Sequence, residues 1–125
     1  MRGLITILLA AYLASAAVCG FAGEAKNAVE AAPAVTFVEL GSSKCVPCKM
    51  MKPVMKKIED RYAGRVQVVF YDIWTAAGKP YAKQYNVRMI PTQVFLDAEG
   101  KEFYRHEGFL AAEAIEKLLK NRGVD

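Results

Sequence analysis

The sequence contains few of the cysteine and histidine side chains from which structural zinc sites are usually built. Its 125 residues include three cysteines and a single histidine, His106. A structural zinc site needs four ligands that meet at one ion. If Cys19 is removed with an N-terminal targeting segment, only two cysteines and one distant histidine remain. We therefore predict no metal site.

The chain also lacks a concentrated positive surface. It has 17 Lys and Arg against 13 Asp and Glu, and the lysines are interleaved with acids along the whole sequence. Nucleic-acid-binding domains gather their basic residues on one face, so we expect no nucleic-acid partner. Internal repeats and low-complexity tracts are missing too, and 125 residues leave room for one domain plus a targeting segment.

Residues 1–22 have the pattern of a secretory signal peptide. Arg2 supplies a positive start, residues 4–18 are uncharged and strongly apolar, and small residues follow. An uncleaved membrane anchor is the alternative, although the apolar run is short for a bilayer span. Lipidation of Cys19 is a third option, but the residues before it match a bacterial lipoprotein box poorly. We expect export to the periplasm or another extracytoplasmic compartment.

The remaining chain divides into a short linker and one folded unit. Residues 23–34 are small, polar and without periodicity, which is typical of a linker. Residues 35–122 are predicted to form the domain, with strands at 35–40, 66–73, 92–96 and 101–107 and helices at 45–62, 76–85 and 111–120.

This order, β-α-β-α-β-β-α, predicts an α/β domain with a four-stranded mixed sheet flanked by helices. The first two strands, joined through a helix, should be parallel because such crossovers are right-handed. The last two should form an antiparallel hairpin.

The motif CVPC at residues 45–48 lies between the first strand and the first helix. Unpaired N–H groups and the helix dipole favour negative charge at a helix start. The pKa of Cys45 should therefore fall, which makes its thiolate a nucleophile near neutral pH. Lys44 and Lys49 flank the pair and should lower that pKa further.

Cys48 lies one helical turn after Cys45 and is placed to resolve a mixed disulfide between Cys45 and a substrate. Pro47 suits the first helical turn, where its missing N–H costs nothing. The alternative is a structural bridge that only staples the helix start. That alternative is weak, because closing so short a loop restricts the unfolded chain little.

The segment from residue 35 to 122 resembles the thioredoxin superfamily. The matching features lie in register: the CxxC followed by Lys49, then Pro53, the sequence IPT at 90–92, Gly100 and Gly108. The resemblance implies a thioredoxin-like fold and a thiol–disulfide oxidoreductase. Its only redox group would be the Cys45–Cys48 disulfide, with no metal, flavin or nucleotide cofactor.

The resemblance also implies how substrates are bound. It implies a cis peptide bond between Ile90 and Pro91, packed against the two cysteines, and an Ile90 backbone that pairs with a substrate strand. Val46 and Pro47, between the cysteines, should contact the substrate and tune the redox potential.

Glu39 lies six residues before Cys45, where thioredoxins hold a buried acid. The resemblance implies that Glu39 accepts the proton of Cys48. Burial would raise the pKa of this carboxyl and suit it to that role. A partly exposed glutamate at a strand end is the alternative.

The sequence departs from the family at several points. Lys44 stands where an aromatic residue usually precedes the first cysteine, the middle dipeptide is Val-Pro, and the lead-in before residue 35 is too short for the usual first strand and helix. Trp74, at the end of the second strand, either shields the dithiol in place of the missing aromatic or packs in the core.

The resemblance implies a reductase of disulfide-bonded client proteins, and a monomer is the default expectation. Its electrons would come from a membrane thiol reductant of the DsbD or CcdA type. The alternatives are a dithiol oxidase or isomerase, although the chain has no room for the helical insertion of DsbA-like oxidants, and a redox-inert binding module. A copper-delivery role for Met50, Met51, Met55 and Met89 is disfavoured, since methionines at helical spacing usually fill a core.

Overall fold

The structure, a computed structural model, describes residues 31–125. The predicted signal peptide, Cys19 and all but the end of the predicted linker lie outside the described residues. Within residues 31–125, no helix combines the length and the apolar character that crossing a membrane requires.

Between residues 31 and 125, seven elements follow one another in the predicted order. They are β1 (Val35–Gly41), α1 (Val46–Arg61), β2 (Val66–Asp72), α2 (Lys79–Gln84), β3 (Thr92–Asp97), β4 (Glu102–Glu107) and α3 (Ala112–Asn121). The sheet order is β2-β1-β3-β4, with β1 parallel to β2 and antiparallel to β3, and β3 antiparallel to β4. The predicted four-stranded mixed sheet is confirmed, and β1 lies inside it.

Helix α2 begins later than predicted, at Lys79 instead of residue 76. The intervening chain folds back over the end of β2. The Thr75 hydroxyl donates to the Asp72 carbonyl at 2.7 Å, and the Gly78 N–H donates to Thr75 Oγ1 at 3.0 Å. A Cβ on Gly78 would lie 1.9 Å from the Asp72 carbonyl oxygen. This turn therefore requires glycine, and it delays the helix.

The two faces of the sheet carry separate apolar clusters. On one face, α1 and α3 cover β1 and β3, and the buried residues include Phe37, Met51, Ile58, Phe95, Ile115 and Leu119. On the other face, Val38, Leu40 and Val94 are packed by residues of β2 and α2. Met50 was predicted to fill the core, and this is wrong: it is 52% exposed, because the buried stripe of α1 runs through Cys48, Met51, Val54 and Ile58.

Candidate active site

The two cysteines lie at the start of α1, with Cys45 nearer the protein surface and Cys48 in the interior. Cys45 is the N-cap residue and is half-buried, whereas Cys48 is 3% exposed. They form a disulfide with their Cα atoms 5.2 Å apart. The Cys45 N–H donates to the Ser42 carbonyl, and the Cys45 carbonyl accepts from the Lys49 N–H. The outer sulfur thus belongs to the residue from which the helix starts.

The start of α1 is electrostatically suited to a thiolate at Cys45. In the described chain, the first turn of α1 contains no acidic residue, and the N-cap side chain makes no capping hydrogen bond. First-turn N–H groups therefore keep their capacity to stabilise negative charge. Lys44 and Lys49 flank the pair on the protein surface, as their predicted role in lowering the Cys45 pKa requires; that role itself stays a prediction.

Gly41 lets the end of β1 approach Cys48 closely. A Cβ at this position would lie 3.2 Å from both Cβ and Sγ of Cys48, which is tighter than ordinary van der Waals contact. The importance of Gly41 was not identified from the sequence. Its importance depends on which side chain packs against it, and that contact crosses from strand to helix.

Asp72, at the end of β2, anchors the turn before the cysteines. Its Oδ2 accepts from the Ser43 N–H at 2.9 Å and from the Ser43 hydroxyl at 2.8 Å, and its Oδ1 accepts from the Trp74 N–H at 3.1 Å. The hydrogen bonds from Ser43 are the main reason that the pKa of Asp72 lies below its usual value. This role was not identified from the sequence, although an acid ending a strand parallel to β1 was a usable signal.

Trp74 is 62% exposed. The alternative that it packs in the core is therefore wrong. The backbone N–H of Trp74 donates to the same Asp72 carboxylate that accepts from Ser43. The backbone of Trp74 is therefore fixed beside the turn that precedes Cys45. Whether the indole shields the dithiol stays a prediction.

The peptide bond between Ile90 and Pro91 is cis, as the resemblance implies. Thr92 at the start of β3 pairs with Leu40, so the same register continued by one residue sets Pro91 opposite Gly41. Because Gly41 packs against Cys48, the cis proline lies at the same end of the sheet as the cysteines.

The segment before Pro91 is held in place by contacts with the chain around it. The Thr92 hydroxyl donates to the Met89 carbonyl at 2.6 Å, and the Gly108 N–H donates to the Pro91 carbonyl at 2.7 Å. Arg88 forms an ion pair with Glu107 on β4 at 3.1 Å. The roles of Ile90 and Pro91 in substrate binding stay predictions, as do those of Val46 and Pro47, which are exposed beside Cys45.

Glu39 is fully buried, so the alternative of a partly exposed strand-end residue is wrong. Burial raises its pKa to about 8, while a hydrogen bond from the Gln93 amide pulls the pKa the other way. Side chains alternate along a strand, so Glu39 shares its face of β1 with Gly41, which contacts Cys48. Its predicted role as proton acceptor remains a prediction.

Gln93 was not identified from the sequence. It pairs with Glu39 across β1 and β3, it is fully buried, and its Nε2 donates to Glu39 Oε1 at 3.4 Å. The available signal was a polar residue within the apolar run that forms β3. Hydropathy alone does not reveal its partner, because the partner is set by the register of two strands far apart in sequence.

His106 is the single histidine of the sequence. It is half-buried on β4, and its Nε2 lies 3.1 Å from the Phe109 carbonyl oxygen, because the chain turns back over it after Gly108. Among residues 31–125, no three His, Cys, Asp or Glu side chains are grouped so that they could hold a metal ion.

Comparisons with known proteins agree with this geometry. A family model described as a thioredoxin-like domain matches residues 22–123. A thioredoxin of Borreliella burgdorferi is 28% identical over 85 residues, covering 68% of this chain and 70% of that protein. A thioredoxin-like protein of Synechocystis is 32% identical over 87 residues, covering 69% and 80%.

The fold is also found among solved structures. A thioredoxin variant from Halobacterium salinarum superposes with a TM-score of 0.64 at 22% identity, covering 71% of this chain and 74% of that one. At this level of identity the similarity shows the fold. It agrees with the predicted thioredoxin-like architecture of the four-stranded sheet and its helices.

Proposed function

This chain belongs to the thioredoxin-like domain family and is a thiol–disulfide oxidoreductase, and from that premise we propose that it reduces disulfides of extracytoplasmic client proteins. The observation that carries the proposal is the arrangement of the two sulfurs. Cys45 lies at the accessible start of α1, and Cys48 lies behind it at 3% exposure.

The reaction is two successive thiol–disulfide exchanges. The Cys45 thiolate attacks one sulfur of the client disulfide, the client S–S bond breaks, and the other client sulfur leaves as a thiolate. Cys48 loses its proton and attacks Cys45 Sγ. The mixed disulfide breaks, the second client thiolate leaves, and the Cys45–Cys48 disulfide remains. Two electrons have passed to the client.

Glu39 is the proposed acceptor of the Cys48 proton. It lies buried on the face of β1 that Cys48 covers at Gly41, and its pKa is raised to about 8. That value is close to the pKa of about 8.5 of an ordinary cysteine. A proton moves between groups of matched pKa with little driving force against it.

The surface beside Cys45 is proposed to bind the client. Val46 and Trp74 are both strongly exposed although they are apolar, and Met89, next to Ile90, is half exposed. Pro47 is exposed in the first turn of α1. Exposed apolar groups around a reactive sulfur suit an unfolded or loosely folded polypeptide better than a small polar disulfide.

The short link between β2 and β3 supports reduction over oxidation. Its only helix among the described residues is the six-residue α2, and a DsbA-like oxidant has a helical insertion instead. The sequence of residues 1–22 supports action outside the cytoplasm. There the enzyme must be re-reduced by a dithiol, for which we propose a membrane thiol reductant of the DsbD or CcdA type.

Insulin reduction by dithiothreitol tests the activity. We expect catalysis by the wild type, none by Cys45→Ser, and unchanged activity in the matched control Cys19→Ser. We also expect Cys48→Ala to accumulate mixed disulfides, because the resolving thiol is missing. A wild type that does not accelerate insulin reduction would contradict the proposal.

The reduction potential tests the direction. A reductase should lie near thioredoxin, at about −270 mV, and an oxidant near about −120 mV. Equilibration of the protein with glutathione buffers, read by alkylation of free thiols, separates the two. A value at the oxidising end would overturn the proposed direction while leaving the exchange chemistry intact.

A further inference from the structure

Two buried polar side chains face each other beneath the active site. Glu39 on β1 and Gln93 on β3 are cross-strand partners, and both are fully buried. One hydrogen bond joins them, from Gln93 Nε2 to Glu39 Oε1 at 3.4 Å. The other oxygen of each group, Glu39 Oε2 and Gln93 Oε1, has no hydrogen-bond partner in the described part of the chain.

The two oxygens without a partner belong to the two side chains that already share a hydrogen bond, Glu39 and Gln93. Buried polar atoms in folded proteins almost always have a partner, and leaving one without is destabilising. An ionised carboxylate only accepts hydrogen bonds, as does an amide oxygen, so these two oxygens cannot form a hydrogen bond with each other. A protonated carboxyl has an O–H that donates. One proton on Glu39 would therefore give both oxygens a partner.

We propose that Glu39 and Gln93 form a carboxylic acid–amide pair, in which Glu39 Oε2 donates its proton to Gln93 Oε1 while Gln93 Nε2 donates to Glu39 Oε1. Gln93 is thereby a positioning residue. It fixes the plane of the carboxyl group and holds the proton at a defined atom, without itself touching the sulfurs.

The surroundings of the pair favour the protonated form at neutral pH. On β2 the partner of Glu39 is Phe70, which does not titrate, and on β4 the partner of Gln93 is His106, one strand further from the acid. On α1 the group at this end of the sheet is Cys48, held in the disulfide. Burial is thus the largest influence, and it raises the pKa of Glu39 to about 8.

The pair has a consequence for re-reduction of the enzyme, and this consequence rests on the proposed function. A thiolate of the donor dithiol attacks Cys45 Sγ, the Cys45–Cys48 bond breaks, and its electron pair leaves on Cys48 as a thiolate. Glu39 Oε2 then gives its proton to Cys48. The resulting carboxylate keeps the hydrogen bond from Gln93 Nε2, so it stays oriented for the reverse transfer.

Infrared spectroscopy of the oxidised full chain at pH 6 tests the pair. We expect a carboxylic acid C=O band that disappears in Glu39→Gln. In Gln93→Met that band should move to higher wavenumber, because both hydrogen bonds to the acid are lost. The matched control Glu59→Gln, an exposed glutamate on α1, should leave the band unchanged. If Gln93 only filled space, Gln93→Met would leave the wavenumber of the band unchanged.

A missing Glu39 band, or a band at the same wavenumber in Gln93→Met, would overturn the proposal. The Glu39→Gln variant provides a second test, in case Gln93→Met does not fold. An amide at residue 39 restores both hydrogen bonds of the pair, so the unfolding equilibrium constant of Glu39→Gln should stay within threefold of the wild type at pH 4, where the wild-type carboxyl is mostly protonated in the unfolded as well as the folded state. A tenfold or larger increase would overturn the pair.

Failure of the pair and failure of the proposed function are separate results. Infrared and unfolding measurements do not depend on any client. A protein that shows the shifted band but does not reduce insulin would refute the reductase and leave the pair standing. A protein that reduces insulin without a Glu39 band would do the reverse.

Discussion

Single side chains determine how closely the sheet approaches the two cysteines. Gly41 leaves room for Cys48 against the end of β1, where a Cβ would be 3.2 Å from two of its atoms. Two residues earlier on the same face, Glu39 is buried with no charged partner among the groups flanking it in the described sheet. Both residues lie inside, so substitutions there act on stability as well as on chemistry.

The fit at Gly41 predicts a stability loss for any added side chain. Gly41→Ala should lower the free energy of unfolding of the oxidised protein by about 1–3 kcal/mol, which is typical of overpacking. Gly41→Val should cost more, because its branches reach further toward Cys48. Urea denaturation measures both. Wild-type stability in the two variants would contradict the close approach.

The raised pKa of Glu39 predicts a pH dependence with a defined sign. The folded state binds this proton more tightly than the unfolded chain, whose pKa is 4.5, because the folded pKa is about 8. The stabilisation is complete below pH 4.5 and is lost as the pH rises through about 8. Denaturation at a series of pH values should show this decline in the wild type and not in Glu39→Gln. Parallel curves for the two proteins would count against it.

At the scale of elements, the position of the cysteines depends on β2 as much as on α1. The turn between β1 and α1 is tied through Ser43 to Asp72 at the end of the neighbouring parallel strand. The same carboxylate holds the chain that leaves β2 at Trp74. One side chain thus fixes two loops at the same edge of the sheet.

Removing the Asp72 charge should loosen both loops. In Asp72→Asn we expect faster amide hydrogen exchange at Ser43 and Trp74, since their N–H groups lose a carboxylate acceptor. Asp97→Asn is the matched control, because Asp97 accepts from Glu99 and Lys101 in a remote turn. Unchanged amide hydrogen exchange at Ser43 in Asp72→Asn would show that the turn does not depend on the Asp72 carboxylate.

Helix α1 is kept on the sheet by one buried face. Ile58→Ala, at a fully buried position, should reduce the free energy of unfolding by about 2–5 kcal/mol. Met50→Ala, at an exposed position on the same helix, should change it by less than about 0.5 kcal/mol. Chemical denaturation measures the difference. Equal effects of the two substitutions would contradict the assigned orientation of the helix.

At the scale of the whole molecule, hydrophobic periodicity predicted an α/β domain with a mixed sheet, and the resemblance added the thioredoxin-like fold. The order of the elements, the parallel pair and the hairpin follow from the spacing of apolar residues and from short connections. The start of α2 was predicted wrongly because the turn at Gly78 depends on contacts with Asp72. Met50 was misplaced because a mixed run of apolar residues does not define which stripe of a helix is buried.

The site was only partly predictable. The cysteine pair and Glu39 were identified because their positions along the chain match a family pattern. Gln93, Asp72 and Gly41 were missed because each acts through a contact between elements, set by strand register and helix packing. Such contacts become visible only when the sheet order is known.

The central claim is that the reduced enzyme carries an accessible, activated thiolate at Cys45 and a sheltered thiol at Cys48. Alkylation of the reduced protein with iodoacetamide, followed against pH and resolved by residue, tests it most directly. We predict that Cys45 reacts rapidly at neutral pH with a pKa clearly below the ordinary value of about 8.5, and that Cys48 reacts far more slowly. Equal, slow alkylation of both cysteines with ordinary pKa values would contradict the account.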